Sequence, residues 1–146
     1  MSEVKQFCTF YVDQGLYGVE VLKVQEVIQF HETTEIPLAD PVIRGLMNLR
    51  GSIVSSIDLR RRFGLAPRQG GPEPTNVVTQ SGSGLVSFEV DRIGDVVEVT
   101  DADYEPVPGT LSGETRRMIE GVYKLEGELL LILNIERVLD LEAIAA

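Results

Sequence analysis

The chain opens with an alternation. In VKQFCTFYV, residues 4–12, Val4, Gln6, Cys8, Phe10 and Val12 fall on one face, and Lys5, Phe7, Thr9 and Tyr11 fall on the other. A period of two is that of a strand. Asp13, Gln14 and Gly15 supply a turn, LYGVEV resumes extended structure, and LKVQEVIQF reads as one helical turn leading into another strand. Similar short apolar runs occupy 76–80, 84–90, 95–100, 119–125 and 129–133. Short strands punctuated by glycine predict a mainly β chain of small barrels. The segment APRQGGPEP, residues 66–74, has three prolines and two glycines and reads as a loop that divides the chain roughly in half.

The two halves repeat one another. At an offset of 76, Gly45 meets Gly121, Leu49 meets Leu125, Gly51 meets Gly127, Ile57 meets Leu133, Asp58 meets Asn134 and Arg61 meets Arg137. At an offset of 69, GLYGVEVLKVQEV lies over GLVSFEVDRIGDV, pairing Gly15 with Gly84, Glu20 with Glu89 and Glu26 with Asp95. Such self-similarity signals an internal duplication. A copy of about 65 residues makes only a marginal core, so the two copies are expected to pack into one unit. Gly51 and Gly127 stand between apolar runs, where a tight hairpin corner favours positive φ. Asp58 and Asn134 precede LRRRFGL and IERVLDL, where a side-chain oxygen can cap the first turn of a short helix.

One position breaks the repeat. Arg50, before the first corner glycine, is replaced by Glu126 in the second copy, whereas Glu26 keeps an acidic counterpart in Asp95. Glu26 and Arg50 can form an ion pair. The segment from Arg44 to Arg68 also gathers six of the 13 basic residues against Asp58 alone. It reads either as a solvated helix face or as a docking surface for an acidic partner.

Thirteen Lys and Arg against 23 Asp and Glu leave a net charge of −10, which disfavours nucleic acid and anionic lipid as partners. With 43% hydrophobic and 25% charged residues the 146-residue chain has a globular composition. No secretory signal or run of roughly 18 apolar residues occurs, so a cytoplasmic address without direct membrane insertion is expected. Cys8 is the only cysteine and is expected as a buried structural thiol. His31 is the only histidine, which leaves a zinc site or a nucleophile–histidine pair poorly supplied. The SGSG around Ser83 lacks the spacing of a nucleophile elbow and reads as a hairpin turn. No phosphate loop or dinucleotide fingerprint is present. Neither catalytic residues nor a metal or cofactor site is expected.

YGVEVLKVQEVI, IPLADPVIRGLMNLRGSIVSSIDLRRRFGL and ILNIERVL together resemble the CheW-type chemotaxis coupling proteins, adaptors that join a histidine kinase to chemoreceptors. The resemblance runs from about Lys5 to Leu141. It implies two small five-stranded SH3-like barrel subdomains packed together, with short helices after the barrel hairpins and at the C-terminus. A single domain over 1–146 is expected, with a first repeat at 5–65, a second at 75–141 and the loop at 66–74. The implied partners are the regulatory domain of a CheA-type kinase and the cytoplasmic tip of a chemoreceptor, in arrays at the membrane. Carried over by motif, the receptor-facing groove between the lobes takes Val24, Glu26, Gly45, Asn48, Arg50 and Gly51, and the kinase-facing surface takes Ile28, Phe30 and Ile36.

Two departures accompany the resemblance. Ser87 stands where many relatives have glycine, and Gly109, Thr110 and Leu111 follow EPVP where the family often presents an aromatic kinase contact. No receiver or kinase domain is expected. A small-metabolite-binding regulatory barrel is the alternative reading, with the groove as its pocket.

Overall fold

The computed structural model describes residues 3–140 other than 30, 31, 69, 71, 72, 83, 110 and 112. Its strands are β1 (Lys5–Val12), β2 (Gly15–Glu20), β3 (Val24–Ile28), β4 (Ile43–Leu49), β5 (Ser52–Asp58), β6 (Thr75–Ser81), β7 (Gly84–Val90), β8 (Arg92–Val99), β9 (Tyr104–Glu105), β10 (Ile119–Leu125) and β11 (Glu128–Leu133). Short helices follow as α1 (Leu59–Arg62), α2 (Gly113–Met118) and α3 (Ile135–Leu139), and a 3-10 turn at Val21–Lys23 leads into β3 as expected. Neither α2 nor β9 announces itself in the sequence periodicity.

The strands form two sheets. One has the order β8-β1-β2-β11-β10-β9 and the other β3-β6-β7-β5-β4. The first five-strand core therefore carries a sixth, two-residue strand at its edge. Repeat and sheet do not coincide. Each sheet takes the first hairpin of one repeat and the remaining strands of the other, four in the first sheet and three in the second, so β1–β2 stands between β8 and β11, and β6–β7 stands between β3 and β5. Each exchanged hairpin meets one host strand antiparallel, β1 against β8 and β6 against β3, and the other parallel, Leu131 beside Tyr17 and Ser56 beside Ser87.

Both sheets curl. Val97 and Val99 on β8 share a cluster with Tyr123 and Leu125 on β10, although three strands separate them in the sheet. A flat sheet with strands about 4.8 Å apart would hold them nearly 20 Å from each other. In the other sheet Ile28 of β3 and Leu49 of β4, on opposite edges, meet around Met47, Val54 and Val78 in the same way. We call these barrel A, containing β1, and barrel B, containing β3.

The largest cluster lies between the barrels rather than within either. Phe10, Tyr17 and Val19 of barrel A meet Val77, Val86 and Phe88 of barrel B, and Leu59, Phe63, Met118 and Val138 of the helical segments cover one side. Tyr17 contacts Phe63 at 4.9 Å between ring centroids. β1 is thus covered on both faces, with Phe10 and Val12 in the central core and Phe7 inside barrel A. Cys8 corrects an expectation. It is half-buried at the margin of the central core, not enclosed, and that partial burial pushes its thiol pKa up.

The capping expectations hold. Asp58 Oδ1 accepts from the Arg61 amide at 3.3 Å, and Asn134 Oδ1 accepts from the Arg137 amide at 3.0 Å. Both two-residue corners also form, closed by Leu49 opposite Ser52 and by Leu125 opposite Glu128.

Candidate functional site

Barrel B carries the residues that the sequence singles out. Its edge strand β3 presents Val24 and Glu26, and the β4–β5 corner presents Asn48, Arg50 and Gly51. Curling brings these two edges together. Arg50 donates from Nη1 to Glu26 Oε1 at 2.8 Å and from Nη2 to Glu26 Oε2 at 2.6 Å, a two-pronged bond across the barrel seam.

The corner is built to make that bond. Arg50 has φ +50° and Gly51 has φ +88°, a turn with two left-handed residues, whose twist suits a two-residue hairpin. Asn48 Oδ1 accepts from the Gly51 amide at 2.9 Å and fixes the geometry. In the second repeat Gly127 has φ +86°, but Glu126 keeps ordinary backbone. Left-handed backbone at a side-chain-bearing residue costs about 1–2 kcal/mol. The arginine is 70% exposed and the glutamate 23%, and an ion pair at that exposure contributes about 0–1 kcal/mol. The arrangement therefore gains the fold nothing, and its use lies in the surface it presents.

Gly45 plays a different part. It is buried, with φ +153°, and a Cβ there would stand 2.5 Å from the Thr34 carbonyl oxygen. Only glycine lets the 33–34 segment bridge onto β4, where the Thr34 and Leu46 amides each donate to the other's carbonyl. Gly45 is a spacer about 10 Å along the strand from Asn48. Val24 is half-buried against the central core, so its exposed edge is what a partner would touch.

On the expected kinase-facing surface, Ile28 is half-buried inside barrel B against Met47, Val54 and Val78, and Ile36 is exposed. Phe30 lies outside the described residues, as do His31, Ser83 and Thr110.

The arginine-rich segment is not the free basic face that one reading allowed. Arg44 lies 3.6 Å from Glu89, Arg61 3.7 Å from Asp58, Arg60 and Arg68 both reach Asp91, and Arg62 is buried against Glu114. Each arginine answers a carboxylate that folding brings to it.

A cleft of about 500 Å3 opens where the chain crosses from barrel A to barrel B, lined by Glu3, Val4, Lys5, Gln6, Glu20, Val21 and Leu22. Leu22 is 95% exposed there. Its counterpart at the 69-residue offset is Asp91, which is held by Arg60, so a second departure from the repeat marked this position. Sequence reasoning passed over it. Among the described residues no cluster of three or more His, Cys, Asp or Glu side chains is placed to hold a metal.

Residues 6–143 match the model of the CheW-like domain. The chain is 30% identical to the chemotaxis protein CheW of Bacillus subtilis, over 97% of this chain and 93% of that protein. It is 28% identical to the chemotaxis protein CheW of Helicobacter pylori, over 94% of this chain and 83% of that one. Its fold superposes on the crystal structure of the scaffolding protein TtCheW from Thermoanaerobacter tengcongensis with a TM-score of 0.85, at 25% identity and 94% coverage of both chains.

Proposed function

The chain belongs to the CheW-like family, and from that premise we propose that it is a non-catalytic adaptor coupling chemoreceptors to a CheA-type histidine kinase. A scaffolding role in chemotaxis agrees with the names its relatives carry. The observation that supports the receptor-facing half of the proposal is the Glu26–Arg50 clasp, strained and exposed yet worth almost nothing to stability. A receptor tip is a helical hairpin, and a helix lies in a groove with apolar walls and a polar rim. Val24 supplies wall, and Glu26, Asn48 and Arg50 supply rim.

The kinase-facing surface lies at the end of barrel B around Ile36, with Ile28 supporting it from inside and Phe30 as the third member of the set. Exposed apolar residues recur at matching places on the two barrels, Val27 with Val96 and Ile53 with Leu129, which suits docking of one barrel against another of similar shape. No helix among the described residues is long and apolar enough to cross a membrane, so residence at a receptor array would come through these protein contacts.

Calorimetric titration with a receptor-tip hairpin and with a kinase regulatory domain tests the reading. Arg50→Glu is expected to weaken receptor binding at least tenfold and to leave the thermal midpoint within a few degrees. Gly51→Val is expected to unfold the corner instead, because its φ of +88° excludes a β-branched side chain. Undiminished receptor binding by Arg50→Glu would remove Arg50 from the interface. Binding of neither partner, together with a thermal shift by a small metabolite, would replace the adaptor reading.

A further inference from the structure

On the side of the molecule away from the clasp, α1, α2 and α3 surround a second cleft, of about 320 Å3, lined by Arg62, Arg117, Arg137 and Asp140. We propose that this cleft binds an oxyanion of the phosphate class.

Arg62 forms the buried back wall of the cleft. The Arg62 side chain is only 2% exposed. It donates from Nε to the Val138 carbonyl at 2.7 Å, from Nη2 to the Arg137 carbonyl at 3.0 Å and from Nη1 to Glu114 Oε2 at 3.2 Å. All three nitrogens are committed, so this guanidinium is a fixed positive charge. It belongs to the first repeat and holds the last turn of the second repeat's helix, which places the site where the two repeats join.

Arg117 and Arg137 are different. Arg117 is 54% exposed and gives one nitrogen to Glu114 Oε1 at 3.0 Å. Arg137 is exposed and gives one nitrogen, at a long 3.5 Å, to the Ile119 carbonyl. Their remaining N–H donors find no acceptor among the described residues. Glu114, shared by Arg62 and Arg117, offsets part of the charge, and Asp140 stands in the lining. The lining itself still sets three guanidiniums against one carboxylate, in a chain whose net charge is −10. Elsewhere the paired arginines are matched to carboxylates, as at Arg50, Arg60 and Arg44.

Planar guanidinium forks match a tetrahedral dianion, whose several acceptor oxygens can serve two forks at once. The phosphate group can come from a free anion or from a phosphorylated protein side chain, and the chemistry of recognition is the same.

The test follows the arginine Nε–H signals of the full chain by heteronuclear NMR at pH 7.5. Inorganic phosphate and phosphoserine are titrated separately against sodium chloride at matched ionic strength. Saturable movement of the Arg117 and Arg137 signals is expected, at least tenfold weaker in the Arg117→Gln, Arg137→Gln double variant, with Arg62 left in place to preserve the fold. Tighter saturation by phosphoserine would identify a protein-borne group, and equal or tighter saturation by phosphate a free anion. Movement that follows ionic strength alone, or survives in the double variant, overturns the proposal. So does saturation by a glutamate-rich peptide where phosphate has no effect, which would make the cleft a carboxylate site. Should the double variant fail to fold, Arg117→Gln alone gives the same reading. No kinase or receptor is present in the measurement, so its failure leaves the adaptor reading untouched.

Discussion

Phe7 and Asn76 occupy the same place in the two exchanged hairpins, 69 residues apart, and the barrels they enter differ accordingly. Inside barrel A, Phe7, Leu16, Gly18, Tyr123, Leu130 and Ile132 form an apolar interior. The equivalent positions of barrel B are Asn76, Leu85, Ser87, Met47, Val54 and Ser56. Only Thr9 against Val78 runs the other way. Barrel B replaces packing with polar contacts such as Ser87 Oγ donating to Asn76 Oδ1 at 3.0 Å, and it leaves Ser56 Oγ buried without a partner. A duplicated frame can thus keep its corners and caps while its two interiors part. The barrel that carries the candidate interface has the thinner apolar core, and thin cores open at lower free energy.

The largest test transfers the polar pattern. Ile132→Ser in barrel A removes a 2% exposed aliphatic side chain and buries a hydroxyl, for an expected loss of about 3–5 kcal/mol in urea unfolding. A loss below about 1 kcal/mol would mean that barrel A depends on apolar packing no more than barrel B does.

The matching glycines come next. Gly45→Ala places a Cβ on the Thr34 carbonyl in left-handed backbone and should cost about 2–3 kcal/mol. Gly121→Ala meets only the edge of the Tyr104 ring at 3.3 Å, and that exposed ring can give way, so less than about 1 kcal/mol is expected. Equal losses in thermal melts would mean that Gly45 is no more a required spacer than its counterpart Gly121.

Ser56→Ala runs in the opposite direction. Removing an unpartnered buried hydroxyl should stabilise barrel B by up to about 1 kcal/mol. Destabilisation would show that the hydroxyl holds a buried water.

The smallest effect concerns pH and two neighbours on β7 and the turn after it. Burial pushes the Glu89 carboxyl pKa up, against the pull of Arg44 and with a further push from Asp58. Burial would also raise Asp91, but hydrogen bonds from Arg60 and the Asp13 amide and the charges of Arg60 and Arg68 outweigh it and hold its pKa down. Ionised Glu89 therefore weighs against the fold above the ordinary carboxylate range, and ionised Asp91 supports it there. Glu89→Gln should raise the melting temperature at pH 7, with the gain vanishing below about pH 4. Asp91→Asn should lower it at pH 7, with the difference closing as the pH falls through the depressed pKa of Asp91.

What the sequence disclosed was local. Gly51 and Gly127 announce corners because positive φ is a property of one residue, and Asp58 and Asn134 announce caps because the acceptor lies three residues from its donor. The Glu26–Arg50 pair was legible because a repeat makes departures visible. The exchange of hairpins was not, since periodicity reports which face a residue takes and says nothing of which strand lies beside it. The same gap hid the carboxylate partners of Arg44, Arg60 and Arg68, which come from β7 and the turn after it. The cleft at α2 escaped for another reason. GETRRM is a helix of fewer than two turns with Met118 its only buried residue, too little for a hydrophobic period to register.

The exchange of hairpins also sets an order of events during synthesis. Barrel B has all its strands once β7 has emerged, so it can close first, with β1–β2 attached at its side. The hairpin must then wait for β8 and finally for β11, whose first residue lies more than a hundred positions beyond Glu20. At ordinary translation rates that wait is on the order of ten seconds, with both flanks of β1–β2 unpaired until β8 emerges and the β2 flank unpaired until β11 does. Two nascent chains on one message would expose the same flanks to each other, so mispairing is most favoured before β11 emerges to close the second flank.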